Sequence, residues 1–180
     1  SRNALQSAAT EPFFRSLGIL MNSFSRFNSF GLGILLAAVA AGSTPSALAE
    51  IRATRKKGLR TEVNGLRDGR CNKGICQISG GTNSGKNKFH RFRIFDTRGE
   101  IQRVEFDTGG KRNLIIGVTS PKGSWIDKSL SFSSKANLFF LSPGGLHMGK
   151  GAEFINMPKL TLSTSDQLIF SDGMFDVFSS

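Results

Sequence analysis

The residues able to do chemistry are few, and they are scattered along the chain. Cys71 and Cys76 are separated by Asn72-Lys73-Gly74-Ile75, a turn-forming stretch short enough to be closed by a disulfide in an oxidising compartment. Closing so small a loop adds only about 2 kcal/mol by the chain-entropy argument, so the bond would staple a local turn. A metal site needs further ligands, and the two histidines, His90 and His147, lie far off in sequence beside apolar residues. Neither a metal nor a cofactor is expected. Serine, histidine and aspartate are all present, yet no Gly-x-Ser-x-Gly elbow presents a nucleophile. The stretch Gly80-Gly81-Thr82-Asn83-Ser84-Gly85-Lys86 superficially suggests a phosphate loop, but it ends in Asn87, where that loop needs Ser or Thr, and no strand-to-helix context follows. With no convergent acid, base or nucleophile to name, the expectation is a protein that is not an enzyme.

The oxidising compartment is itself read from the sequence. The 180 residues begin at Ser1, and Met21 is the better start, leaving residues 1–20 as an upstream extension or a mis-assigned start. From Met21 a short polar stretch carries Arg26; then comes the apolar run Phe30 to Ala41, and then small residues ending Ala47-Leu48-Ala49. That order is the n-region, h-region and cleavage site of a signal peptide, residues 21–49, with Ala47 and Ala49 small enough for the peptidase pockets and Glu50 as the new amino terminus. An apolar run of 12 residues is too short for a membrane anchor, which needs about 20. Its handlers would be the general secretory pathway and signal peptidase. Residues 50–180 keep 21 basic and 12 acidic side chains, a net charge of +9, so basicity belongs to the exported part.

The elements that must position these residues are short. Residues 50–70 are charged and poor in apolar runs, with Val63-Asn64-Gly65 as the clear turn signal; they read as an extended or weakly ordered basic lead-in with room for one short strand. Beyond Cys76, apolar segments alternate with Gly, Asn, Ser and Asp, and strands are predicted at 77–79, 89–95, 101–106, 114–118, 130–132, 137–141, 146–148, 153–155, 160–163 and 167–170. No helical period is sustained after Ala49, so the domain is all-β. In the segment from Phe89 to Phe95, His90, Phe92 and Ile94 form the better core face, with Phe89 and Phe95 covered by neighbouring loops. Leu138, Leu146, Phe154, Leu160 and Leu168 recur every six to eight residues between tight turns. Strands this short favour a solenoid of three strands per coil, roughly 20 residues each, over a sandwich. The chain reaches Ser180 still writing strand and turn signals, and the mature product is expected to run further.

The stretch from Cys76 to Phe170 resembles the amino-terminal secretion domain of two-partner-secretion exoproteins, the filamentous-haemagglutinin-like family with its haemagglutination activity domain, in the form seen in cyanobacterial members. Three blocks carry the resemblance: Cys71…Cys76-Gln77-Ile78-Ser79-Gly80-Gly81-Thr82, then Asn87 to Phe95, then Ala136 to Gly149. The family's Asn-Pro-Asn-Gly-Ile turn reads Ser142-Pro143-Gly144-Gly145-Leu146 here, which keeps the turn-forming backbone and loses two Asn side chains. The resemblance implies a right-handed parallel β-helix over residues 71–180, capped at its amino-terminal end and carrying extra antiparallel strands. It also implies recognition by an outer-membrane transporter with periplasmic domains, and delivery by way of the periplasm to the outside or the outer cell surface as part of an adhesin-like protein.

Recognition of this kind acts through exposed strands and turns, since transporter domains take extended segments by strand addition. The residues singled out are Asn137, Pro143, Gly144 and Gly145, with Phe89, His90 and Phe92 in support. The plainer alternative is that the turn residues shape a corner and the aromatics fill the core. A second functional class is a basic extracellular binding module: Arg91, Arg93, Arg103, Lys111 and Arg112, interleaved with Phe92 and Phe95, would make a cationic patch with aromatic platforms. After export its ligand would be an anionic polysaccharide or cell surface and not nucleic acid.

Overall fold

Alternating apolar positions in segments of three to nine residues, cut by Gly, Pro and Asn, commit the chain to strands. The structure, a computed structural model, describes residues 49–55 and 58–179. Among them the elements are β1 (Ile51–Ala53), β2 (Thr61–Val63), β3 (Leu66–Arg67), β4 (Arg70–Cys71), β5 (Lys73–Gly80), β6 (Thr82–Ser84), β7 (Asn87–Phe95), β8 (Glu100–Phe106) and β9 (Asn113–Val118). They continue with β10 (Ser124–Ile126), β11 (Ser129–Phe132), β12 (Asn137–Leu141), β13 (Leu146–Met148), β14 (Glu153–Ile155), β15 (Leu160–Ser163), β16 (Gln167–Phe170) and β17 (Gly173–Asp176).

The strands coil. β5, β8, β11 and β14 pair in parallel as one ladder, β7, β9, β12 and β15 as a second, and β10 with β13 as a short third. Side chains therefore stack in vertical columns: Cys76, Val104, Leu130 and Phe154 in the first ladder, and His90, Ile116, Phe140 and Leu162 in the second. The fold is a parallel β-solenoid, as the strand lengths predict. One coil takes 28 residues from Cys76 to Val104, 26 to Leu130 and 24 to Phe154, longer than the expected coil. The difference lies in corners of more than two residues, which run between strands and leave no apolar pattern to count.

The basic lead-in is corrected most. Instead of an ordered minimum, residues 51–71 hold four short strands that cap the solenoid: β1 pairs antiparallel with β7 and β4, and β2 with β5 and β3. Without them the outer backbone donors and acceptors of the first coil would form an open sheet edge. Asn64 and Gly65, both at positive φ, make the two-residue hairpin between β2 and β3. Strands of two or three residues carry too few positions to show alternation, which is why the cap is hard to read from sequence. The disulfide Cys71–Cys76, Cα–Cα 5.7 Å, ties β4 to β5 and so fastens the end of one sheet to the other.

The core is aromatic. Phe92, Phe95, Phe106, Phe132 and Phe140 are buried and meet edge to face at centroid distances of 5.1 to 6.4 Å. Phe95 belongs to this core and Ile94 does not, contrary to simple alternation. Ala53 pairs with Phe92 and Arg52 with Ile94, so Arg93 is a bulge, and the extra residue reverses the facing of everything after it.

A second layer covers the outer face of the second ladder. The antiparallel hairpin β16–β17 lays Leu168, Phe170, Phe175 and Val177 on Phe89, Ile115, Phe139 and Leu141. Gly117 makes room for it: a Cβ there would stand 2.9 Å from Phe175 Cζ. Phe89 is thus covered, as expected, but by a hairpin and not a loop. Arg91 completes the latch, donating hydrogen bonds to the carbonyls of Asp176 and Ser179 with its guanidinium over the Phe175 ring.

Candidate functional site

Proline followed by glycine one or two residues later turns a chain sharply, because proline presets one φ and glycine supplies conformations other residues resist. Ser142-Pro143-Gly144-Gly145 does so between β12 and β13, closed by Gly145 N–H donating to Ser142 O at 2.9 Å, with Gly145 at φ +115°. Directly against it lies a second turn, Ser120-Pro121-Lys122-Gly123, closed by Gly123 N–H to Ser120 O at 3.1 Å. The two backbones touch. A Cβ on Gly144 would lie 2.3 Å from Ser120 O, and one on Gly123 would lie 2.5 Å from Gly145 O.

Serine hydroxyls brace the corner from beneath. Ser142 Oγ donates to Gly145 O at 2.7 Å, and Ser124 Oγ lies 2.8 Å from Ser142 Oγ. Ser124 N–H also reaches Gly145 O, at 3.0 Å. Both serines are fully buried, so the turns are built on a satisfied polar base. The partner turn is absent from the residues singled out on sequence. Its signal was a repeated Ser-Pro-x-Gly, beginning at Ser120 and again at Ser142.

Asn137 joins a ladder that sequence reading did not find. Its Nδ2 donates to Asn113 Oδ1 at 2.9 Å, and Asn113 Nδ2 donates to Asn87 Oδ1 at 2.8 Å. The three head their strands in register, so each amide closes the bond of the one beside it.

The supporting aromatics lie beneath the surface. Phe89 is half-buried under the hairpin, while His90 and Phe92 are fully buried; any part they take in recognition passes through the shape of the sheet. His90 sits where the column above it is apolar, next to the cap. Its Nδ1 is 3.3 Å from Thr61 Oγ1 of β2, and its Nε2 has no partner among the described residues. Burial, helped by the nearby Lys88 ammonium and opposed by Asp107, lowers its pKa to about 3, so the ring is neutral. Lys88 likewise takes an inward position and donates to Asp107 O at 2.8 Å.

The basic residues do not gather as an interleaved patch. Phe92 and Phe95 are core, Arg91 is spent on the hairpin, and Arg103 lies on the other sheet paired with Glu105 at 2.7 Å. The aromatic platform is elsewhere: Trp125 of β10 stacks on His147 of β13 at 3.9 Å, and the Arg98 guanidinium covers the indole, also at 3.9 Å. Among the described residues no three His, Cys, Asp or Glu side chains come together as metal ligands.

Of the residues assigned to signal cleavage, Ala47 lies outside the described residues. Ala49 and Glu50 stand immediately before β1, and Glu50 O accepts the Asp96 N–H at 3.0 Å.

The described residues thus form a parallel solenoid closed at one end by antiparallel strands and covered on one outer face by a hairpin, with two Ser-Pro-x-Gly corners stacked against each other. Residues 54–179 match the family model of the TPS secretion domain, and the chain belongs to that family. No curated protein and no solved structure matches it significantly.

Proposed function

We propose that this chain is the secretion and recognition domain of an exported, adhesin-like protein, and that periplasmic domains of an outer-membrane transporter bind it and conduct the protein to the cell surface. The observation that carries the reading is the family match, which runs from β2 of the cap through every coil and the hairpin. Within the family, the resemblance of the three sequence blocks supports a filamentous-haemagglutinin-like exoprotein of the cyanobacterial form. The leader at residues 21–49 takes it through the general secretory pathway, and signal peptidase cuts after Ala49.

The domain works by shape and not by catalysis. Pro143, Gly144 and Gly145 present a corner whose backbone is held by Ser142, Ser124 and the turn beside it, and Asn137 keeps the adjoining strand in register. Serine hydroxyls hold the corner in place of the family's asparagines, so the substituted turn retains its function. Binding to the soluble periplasmic part of the transporter tests this. The chain should bind saturably. Pro143→Ala should weaken binding about tenfold while leaving the unfolding transition in place, and Gly144→Ala, which drives a Cβ into Ser120 O, should abolish it. Folded wild-type chain that does not bind, or a Pro143→Ala variant that binds as tightly as wild type, overturns the proposal.

A further inference from the structure

Beside the Trp125 stack lies a cleft of ≈ 400 Å³ whose lining includes Arg93, Asp96, Arg98, Pro121, Lys122 and Trp125. A second cleft, of ≈ 570 Å³, shares Arg93 and Thr119 with it and continues past Arg55 and Asp68. Together they line up four cations, Lys122, Arg98, Arg93 and Arg55, of which Arg98 pairs with Asp96 at 2.7 Å and Arg55 with Asp68 at 3.8 Å, leaving Arg93 and Lys122 as the uncompensated charges.

The fold builds this charge deliberately into one place. Arg93 is the bulge residue, and the irregularity that brings Phe95 into the core leaves the Arg93 side chain exposed at the junction of the two clefts. Arg98 is held by Asp96 through two bonds, Nε to Oδ1 at 2.9 Å and Nη2 to Oδ2 at 2.7 Å, and by the indole beneath it. Two of its five N–H groups are thereby used and its orientation is set. The Arg93 guanidinium and the Lys122 ammonium have no partner among the described residues.

The same geometry narrows the ligand. A single anion on exposed cations gains little, whereas charges repeated along one polymer act together. Single-stranded nucleic acid needs open aromatic faces, and both faces of Trp125 are covered, by Arg98 and by His147. A membrane is flat where these surfaces are concave. Pro121 and the rim of the indole offer apolar walls suited to the C–H faces of a sugar. We propose that the paired clefts bind a linear acidic polysaccharide through carboxylates spaced along its chain, a function separate from transporter recognition.

Trp125 is the single tryptophan of the chain, so its emission reports occupancy directly. Titration with oligogalacturonate should change that emission saturably, and the change should fade as salt is raised. Arg93→Ala combined with Lys122→Ala should weaken binding about tenfold, two exposed contacts being removed, while Arg103→Ala on the other sheet leaves it unchanged. Both altered side chains are exposed and unpaired, so a retained unfolding midpoint is expected and is measured alongside. Equal binding of the methyl-esterified oligosaccharide, of oligothymidylate or of phosphatidylglycerol vesicles would overturn the proposal, as would wild-type affinity in the double variant.

Discussion

His90 shows how much a single position can hold. The residues stacked above it, Ile116, Phe140 and Leu162, are apolar, and the imidazole takes the equivalent place where the coil meets the cap. Because burial lowers its pKa to about 3 from an ordinary 6.5, the unfolded chain binds a proton that the folded chain refuses between those values. This contribution to stability is intact above pH 6.5 and is lost as pH falls toward 3, at about 1.4 kcal/mol per pH unit. Replacing His90 by Gln should flatten that slope in denaturant titrations followed across pH 6.5 to 4. An unchanged slope would mean that other groups carry the acid sensitivity. The Asp107 carboxyl, drawn below its usual range chiefly by the Gly109 N–H, works in the same direction, since its proton too is bound more readily by the unfolded chain. That His90 faces the core was readable from its strand. Its partner, Thr61, was not, because β2 arrives from a segment with no pattern of its own.

The hairpin β16–β17 illustrates the element scale. Strand and turn character from Gln167 onward is plain in the residues, but nothing local says that these strands leave the coil and lie across it. That decision is made by complementary shape: Gly117 opens a recess, Phe175 fills it, and Arg91 ties down the two carbonyls beyond. Phe175→Ala should cost roughly 3 kcal/mol. Amide exchange should rise within 167–176 while β9 and β12 stay protected. Equal loss of protection throughout would make the hairpin part of one cooperative core. The stacked turns follow the same rule. Ser142-Pro143-Gly144-Gly145 announces a corner by its composition, whereas its contact with Ser120-Pro121-Lys122-Gly123 depends on the coils being brought into register.

At the scale of the whole molecule, each coil touches mainly its neighbours, so the ends govern how securely the stack is closed. The cap closes one end, and its fastening is Cys71–Cys76. A loop this small contributes about 2 kcal/mol, enough to matter and too little to be the fold's sole support. Reduction should therefore lower the unfolding free energy by about that amount while the chain keeps its β-sheet circular dichroism and a single transition. A chain that unfolds outright on reduction, or one whose stability does not change, would show that the bond has another role.

Strand character, the all-β class, the disulfide and the turn at Ser142 were legible in the amino-acid sequence because each rests on residues a few positions apart, and the solenoid was legible only indirectly, through the shortness of its strands. Only the tertiary structure decided the cap, the inward Phe95, the ladder of Asn87, Asn113 and Asn137, the pairing of the two Ser-Pro-x-Gly corners, and the clefts around Arg93. Each of these depends on which residues a coil of 22 to 28 positions brings face to face. Corners of unequal length make that distance irregular, so no fixed period along the chain reveals it, and a single bulge at Arg93 is enough to exchange inside for outside.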